Sequence, residues 1–226
     1  MLQVLGRSLI LLLFPLAIVA QENPIFNQVH IDAQAEREVE NDQLEVSMLV
    51  EVQGNKPDEI AASVNETMQW ALKLAGGNKD IEVSTRSYQT YPVYNDKFIV
   101  GWRASQELYL RSVKISELTE LVGQLQQKLQ ISHMNFSPTK KTRTGIENEL
   151  ISEAMVAFRQ RAEIIKGHMD NMNYRIVNLH ISTGQAGPAM YREMMMSKAA
   201  DASMAPAVEA GTSKVIVTVS GSIQFF

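Results

Sequence analysis

The sequence predicts an α+β fold: a mostly antiparallel sheet with about three helices packed on one side. Three observations lead there. Leu44, Val46, Met48, Val50 and Val52 alternate with Glu45, Ser47, Glu51 and Gln53, the period of a half-buried strand. Ile60, Val64, Met68, Ala71, Leu72 and Ala75 recur instead at helical spacing. Two strand-like runs, 81–94 and 97–111, meet around Asn95 and Asp96, a hairpin signal.

The remaining elements follow in chain order. Residues 29–36 read as a strand running into a polar turn at 40–42. Gly54, Asn55, Lys56 and Pro57 break the second strand, and Pro57 suits the first turn of the helix that follows. Gly76 and Gly77 stop that helix. Ser116 is placed to cap a second helix carrying Leu118, Leu121, Val122, Leu125 and Leu129. A short strand at 131–136 leads to a loop at 137–143. Thr144 and Glu147 then have the spacing of a capping box for a long third helix. Its apolar side is Ile146, Leu150, Ala154, Ala157, Phe158, Ile165 and Met169. Residues 174–182 form a strand, a Gly-, Ala- and Met-rich loop occupies about 184–211, and 212–225 closes the chain as a strand. No composition shift marks a linker, so 21–226 reads as one domain.

The chain has 226 residues, no cysteine and a formal charge of −4. The missing cysteine excludes a disulfide scaffold, thiolate-bound metals, thiol catalysis and a cysteine-linked lipid anchor. The acidic balance argues against a general nucleic-acid partner. Residues 1–20 carry one charge, Arg7, then a run of about a dozen apolar residues and a small residue at Ala20. That is the pattern of a secretory signal peptide cleaved after Ala20, and the run is short for a membrane-spanning helix, which takes about 20 residues. Loss of Arg7 takes the formal charge from −4 to −5. The expected location is the periplasm, with association to the outer membrane. No later run is long and apolar enough to span a membrane as a helix. A transmembrane barrel is disfavoured because Phe226 falls on the polar face of the last strand, out of phase with Val215, Val217, Val219, Ile223 and Phe225.

No motif for hydrolysis or phosphate binding is present, and no cofactor is implied; any small-molecule ligand is left unassigned. His30, His133, His168 and His180 lack ligand spacing. His30 and Asp32 share one side of a strand, so they can pair, an arrangement alternation often produces without catalysis. An enzyme using an unrecognised site there is the third functional alternative; no catalytic residue is assigned. Lys140, Lys141 and Arg143 precede the third helix and read as a solvated basic loop, with an anion site as the rival. Tyr88, Tyr91, Tyr94, Phe98 and Trp102 line the hairpin. They serve either as cross-strand sheet stabilisers or as a contact surface, and Tyr88, Tyr91, Tyr94 and Trp102 are the interaction candidates. Met190, Met194, Met195, Met196 and Met204 crowd into fifteen residues. Thioethers are soft ligands, so Met190, Met194, Met195 and Met196 are candidates for copper(I) or silver. The plainer reading is an adaptable apolar loop over core or a neighbouring subunit.

Several segments, taken in order, carry a family resemblance. They are the acidic strand region 39–52 with Lys56 and Pro57, the run from Ile81 to Tyr88 continuing to Tyr91 and Tyr94, and Val100 to Ala104. Asn135 to Pro138, then Ala154 with Arg161, Ala162 and Glu163, and the Pro/Met/Ala-rich loop before a Val-Thr-Val strand complete the series. Over about 29–225 the chain resembles the SIMPL-domain family, exported proteins long described as having unknown function. It departs from the family in having Trp102 where tyrosine is usual and fewer alanines on the long helix. The resemblance implies an α+β fold, an envelope location, self-assembly in some members and links to oxidative or envelope stress. It transfers no functional residue. The expectation is a non-enzymatic, homo-oligomeric envelope protein, with a soft-metal module as the alternative. Because the methionines follow no repeated Met-x-x-Met pattern, copper(I) titration under reducing conditions should show no tight binding that Met→Leu replacement at 190, 194, 195 and 196 abolishes.

Overall fold

The computed structural model describes residues 26–170, 172–185 and 209–226. The expected leader at 1–20 and all five clustered methionines lie outside the described residues. Among the described residues, seven strands and three helices follow one another as β1 (Gln28–Glu40), β2 (Gln43–Gly54), α1 (Pro57–Ala75), β3 (Glu82–Asn95), β4 (Phe98–Ser112), α2 (Ile115–Leu125), β5 (Gln130–Ser137), α3 (Lys140–Gly167), β6 (Tyr174–Gln185) and β7 (Thr212–Phe225). The class is α+β and every strand pairing is antiparallel. The strands divide into two sheets, β1-β7-β6 and β3-β4-β2-β5. The helices divide with them, α3 on the first and α1 with α2 on the second.

The four-stranded sheet is continuous in sequence, spanning 43–137, and its core follows from alternation. Leu44, Val46, Met48 and Val50 of β2 and Ala104, Leu108 and Leu110 of β4 are buried beneath Ile60, Val64, Met68 and Ala71 of α1. Leu118, Leu121, Val122 and Leu125 of α2 close the same core. The opposite face of this sheet is polar. There Arg111 donates from Nε to Glu82 at 3.0 Å, and the Arg86 guanidinium stacks 3.5 Å from the Tyr109 ring centroid. Burial, then the charge of Glu45, pushes the Tyr109 hydroxyl above its ordinary pKa.

The three-stranded sheet is assembled from the two ends of the chain. Ile31 and Ala33 of β1 stand beside Gly221 and Val219 of β7. Leu150, Ala154, Phe158 and Ala162, each four residues apart, form the α3 stripe that buries them. β6 bulges between Ile176 and Asn178, where Val177 is the residue passed over, and Gly221 pairs with Leu179 just beyond. A Cβ at Gly221 would collide with the Asn178 carbonyl oxygen.

Two helix starts differ from the sequence expectation. Ser116 does not cap α2: the helix begins at Ile115 with no side-chain cap, and Ser112 Oγ accepts from the Lys114 N–H at 2.9 Å. Thr144 and Glu147 form no capping box, because α3 begins a turn earlier. Thr139 is its cap, Oγ accepting from Thr142 N at 3.2 Å, and Glu147 instead pairs with Arg143 at 2.8 Å. The deciding group is Asp42, 97 residues away, whose carboxylate accepts from the Thr139 N–H and, at 2.6 Å, from Thr142 Oγ. With no acidic residue in its own first turn and Lys140, Lys141 and Arg143 near its start, α3 obtains from Asp42 the negative charge that a helix N-terminus favours. The expected loop at 137–143 is thus half helix. The first strand likewise runs on to Glu40, since pairing continues to Thr212.

Burial alone would raise the Asp42 carboxyl, but the hydrogen bonds from Thr142 and Thr139 outweigh it and hold the pKa below the ordinary value. A pKa depressed by folding contributes stability fully above about pH 4 and loses it as pH falls through the folded-state value. Asp42→Asn should therefore cost about 1–3 kcal/mol at pH 7 and flatten the acid limb of the stability curve, as chemical denaturation across pH 2–7 would record.

Candidate interaction surface

Each residue singled out in the sequence now has a position, or lies outside the described residues. His30 and Asp32 do pair, Nε2 to Oδ1 at 3.4 Å, on the outer face of β1. Ser222 of β7, directly across from His30, places its Oγ 3.4 Å from Nδ1. Alternation within one strand could indicate the His–Asp pair, whereas Ser222 enters only through the β1–β7 register, which no local pattern encodes. The three groups carry the side-chain types of a nucleophile, base and orienter. They stand on an open strand face, with His30 and Asp32 exposed, and the Ser222 N–H is already committed to Asn178 Oδ1 at 2.7 Å. Long contacts on a flat exposed face suit a cross-strand polar ladder.

Lys140 and Lys141 occupy the first turn of α3 rather than a loop, and the N–H of Arg143 closes the first turn onto the Thr139 carbonyl at 2.9 Å. Among the described residues no cluster of three or more His, Asp or Glu is arranged to hold a metal.

The aromatic set of the hairpin is split by the sheet. Trp102 is half-buried and packs against the core of the four-stranded sheet. Tyr88 is paired with Gln106 and Tyr91 with Arg103, so the two tyrosines occupy opposite faces. The Tyr91 hydroxyl donates to Gln89 Oε1 at 2.7 Å, while Arg103 reaches Gln53 Oε1 at 3.3 Å and Glu51 at 3.6 Å.

The free end of the hairpin is built differently. β2 accompanies β4 only as far as the Gly54–Trp102 pair, whereas β3 and β4 continue together to Asn95 and Phe98. Beyond Trp102 the hairpin is therefore a two-stranded ribbon, turned at Asp96 with φ 52°. This ribbon carries Tyr94 at 60% exposure, Phe98 at 76%, and Ile99 and Val100 in the open as well. Ile99 and Val100 were missed in the sequence because an apolar run inside a strand reads the same whether or not a neighbouring strand covers it. Only the early end of β2 separates the two regions.

Side chains so exposed contribute little to the fold of the protomer. Phe98→Ser and Tyr94→Ser should each change unfolding free energy by no more than about 0.5 kcal/mol, measured on dilute protein by denaturant titration.

No curated protein matches the chain. The SIMPL family, described as protein of unknown function (DUF541), matches residues 29–223, from the first strand through nearly all of the last. With both sheets and all three helices inside that span, the chain belongs to the SIMPL family.

Proposed function

We propose that this chain is a non-enzymatic protein of the bacterial cell envelope, exported to the periplasm, that self-assembles and protects against oxidative or envelope stress. The observation that carries self-assembly is the ribbon beyond Trp102. Four exposed apolar side chains within one short ribbon, distributed over both of its faces, are the mark of a contact surface rather than of a solvent-adapted loop. A two-stranded ribbon is only marginally stable alone in water, so packing against another surface benefits its backbone as well as its side chains. Export is supported by the first twenty residues, with their single positive charge before an apolar run. A protective role is supported by the chemistry of the five clustered methionines, whose thioethers take up oxidant reversibly as sulfoxides.

Light scattering on the mature chain at tens of micromolar (about 20–50 µM), where interfaces of standard size normally hold, should give a multiple of the protomer mass. Joint Phe98→Ser and Val100→Ser replacement should shift the distribution to smaller species. A monomer for the unaltered chain throughout that range would refute the proposal.

A further inference from the structure

The helix α3 shields two of the three strands beneath it. Arg37 ties one flank to β1 through Glu149 and Glu153, and Arg161 reaches the Asp32 carbonyl on the same side. The opposite flank overhangs β6, where the Tyr174 hydroxyl donates to Glu163 at 2.9 Å. Past that point β6 has no helix over it. Ile176, Leu179 and Ile181 stand beside Ile223, Gly221 and Val219, so they face the α3 side of the sheet, yet all three are exposed. From Ile176 to Thr183 the edge carries neither proline nor a formally charged residue to discourage pairing.

The same chain carries a matching surface. A shallow groove of about 500 Å³ on the outer face of α3 is lined by Val156, Arg159, Gln160, Glu163 and Ile164. Val156 is 56% exposed and Ile164 is 64% exposed. They sit eight residues apart, about 12 Å along the helix, comparable to the roughly 17 Å from Ile176 to Ile181 along the strand. The groove itself holds one cation, Arg159, and one anion, Glu163, and Arg159 has no ion-pair partner among the described residues.

We infer that a second copy of this chain covers the β6 shelf, reciprocally, each protomer laying the outer stripe of its α3 on the other's β6. This rests on the self-assembly reading and assigns it an interface distinct from the ribbon. Across a two-fold axis the apolar stripe meets the apolar shelf twice, and Arg159 of one protomer meets Glu163 of the other. The surface is self-complementary, as an isologous contact requires. Each stripe-on-shelf contact, about 17 Å long and about 15 Å wide, covers on the order of 250 Å², so the two together bury on the order of 500 Å² of each protomer, at the small end for a specific dimer.

Charge reversal tests it on the full mature chain by sedimentation velocity. Arg159→Glu alone and Glu163→Arg alone each set like charges against one another and should weaken association at least about tenfold. A one-to-one mixture of the two variants restores both opposite-charge pairs and should recover the unaltered association. Variants that associate like the parent chain, or a mixture no stronger than its components, would overturn this interface while leaving self-assembly through the ribbon standing. A parent chain that never associates would overturn both readings.

Discussion

Everything else in this fold depends on a knot of hydrogen bonds at Asn41 and Asp42. The chain passes between its two sheets twice, at these residues and at Pro138 and Thr139, and extensive element packing lies within one sheet unit or the other. Asn41 is buried and holds the start of β7. Its Nδ2 donates to the Ala210 carbonyl at 2.6 Å, its Oδ1 accepts from Ser213 Oγ at 2.6 Å, and its N–H donates to the Gly211 carbonyl at 3.1 Å. Asp42, the next residue, holds the start of α3 through Thr139 and Thr142. One crossing is therefore bonded to the other. Adjacent side chains fix the ends of a strand and a helix that are far away in sequence.

That arrangement has an electrostatic logic. The first turn of α3 has lysines where an acidic residue would be favoured, so the helix cannot satisfy its own N-terminus with charge. Asp42 supplies it from the neighbouring crossing and in exchange finds three donors that offset its partial burial. Because the bonds are charge-assisted, they are stronger than neutral ones. The position of the four-stranded sheet relative to the three-stranded one consequently rests on a few polar contacts rather than on a shared apolar core.

What could be read in the sequence, and what could not, divides along the same line. The three helices and the strands β2 and β7 announced themselves by their period, and the hairpin by its turn residues, because those signals depend on neighbours two to four residues away. The helix starts did not. Thr144 and Glu147 satisfy the local rule for a capping box, yet the cap is Thr139 because the decisive acceptor comes from Asp42. Division into two sheets was invisible for the same reason: alternation in β1 and β2 reports burial, not which strand lies alongside. The tyrosines of the hairpin were legible as a group, but their distribution over two faces and the emergence of the ribbon at Trp102 depend on β-bulges and on where β2 ends.

The two exposed apolar regions share one structural origin. Each sheet has a part that outruns its cover: β3 and β4 extend past β2, and β6 beyond Tyr174 lies outside the reach of α3. A helix about 10 Å across spans roughly two strands at 4.8 Å spacing, so a three-stranded sheet with one helix necessarily leaves a strand uncovered. Polar residues on that strand would have removed the exposure at no cost to the core. The chain instead places Ile176, Leu179 and Ile181 there, and repeats the choice with Phe98, Ile99 and Val100 on the ribbon. Both regions lie away from the Asn41–Asp42 knot, so burying them would leave the hydrogen bonds that join the sheets intact. A protomer built this way completes its fold within itself and leaves two surfaces on different sheets for contacts outside it.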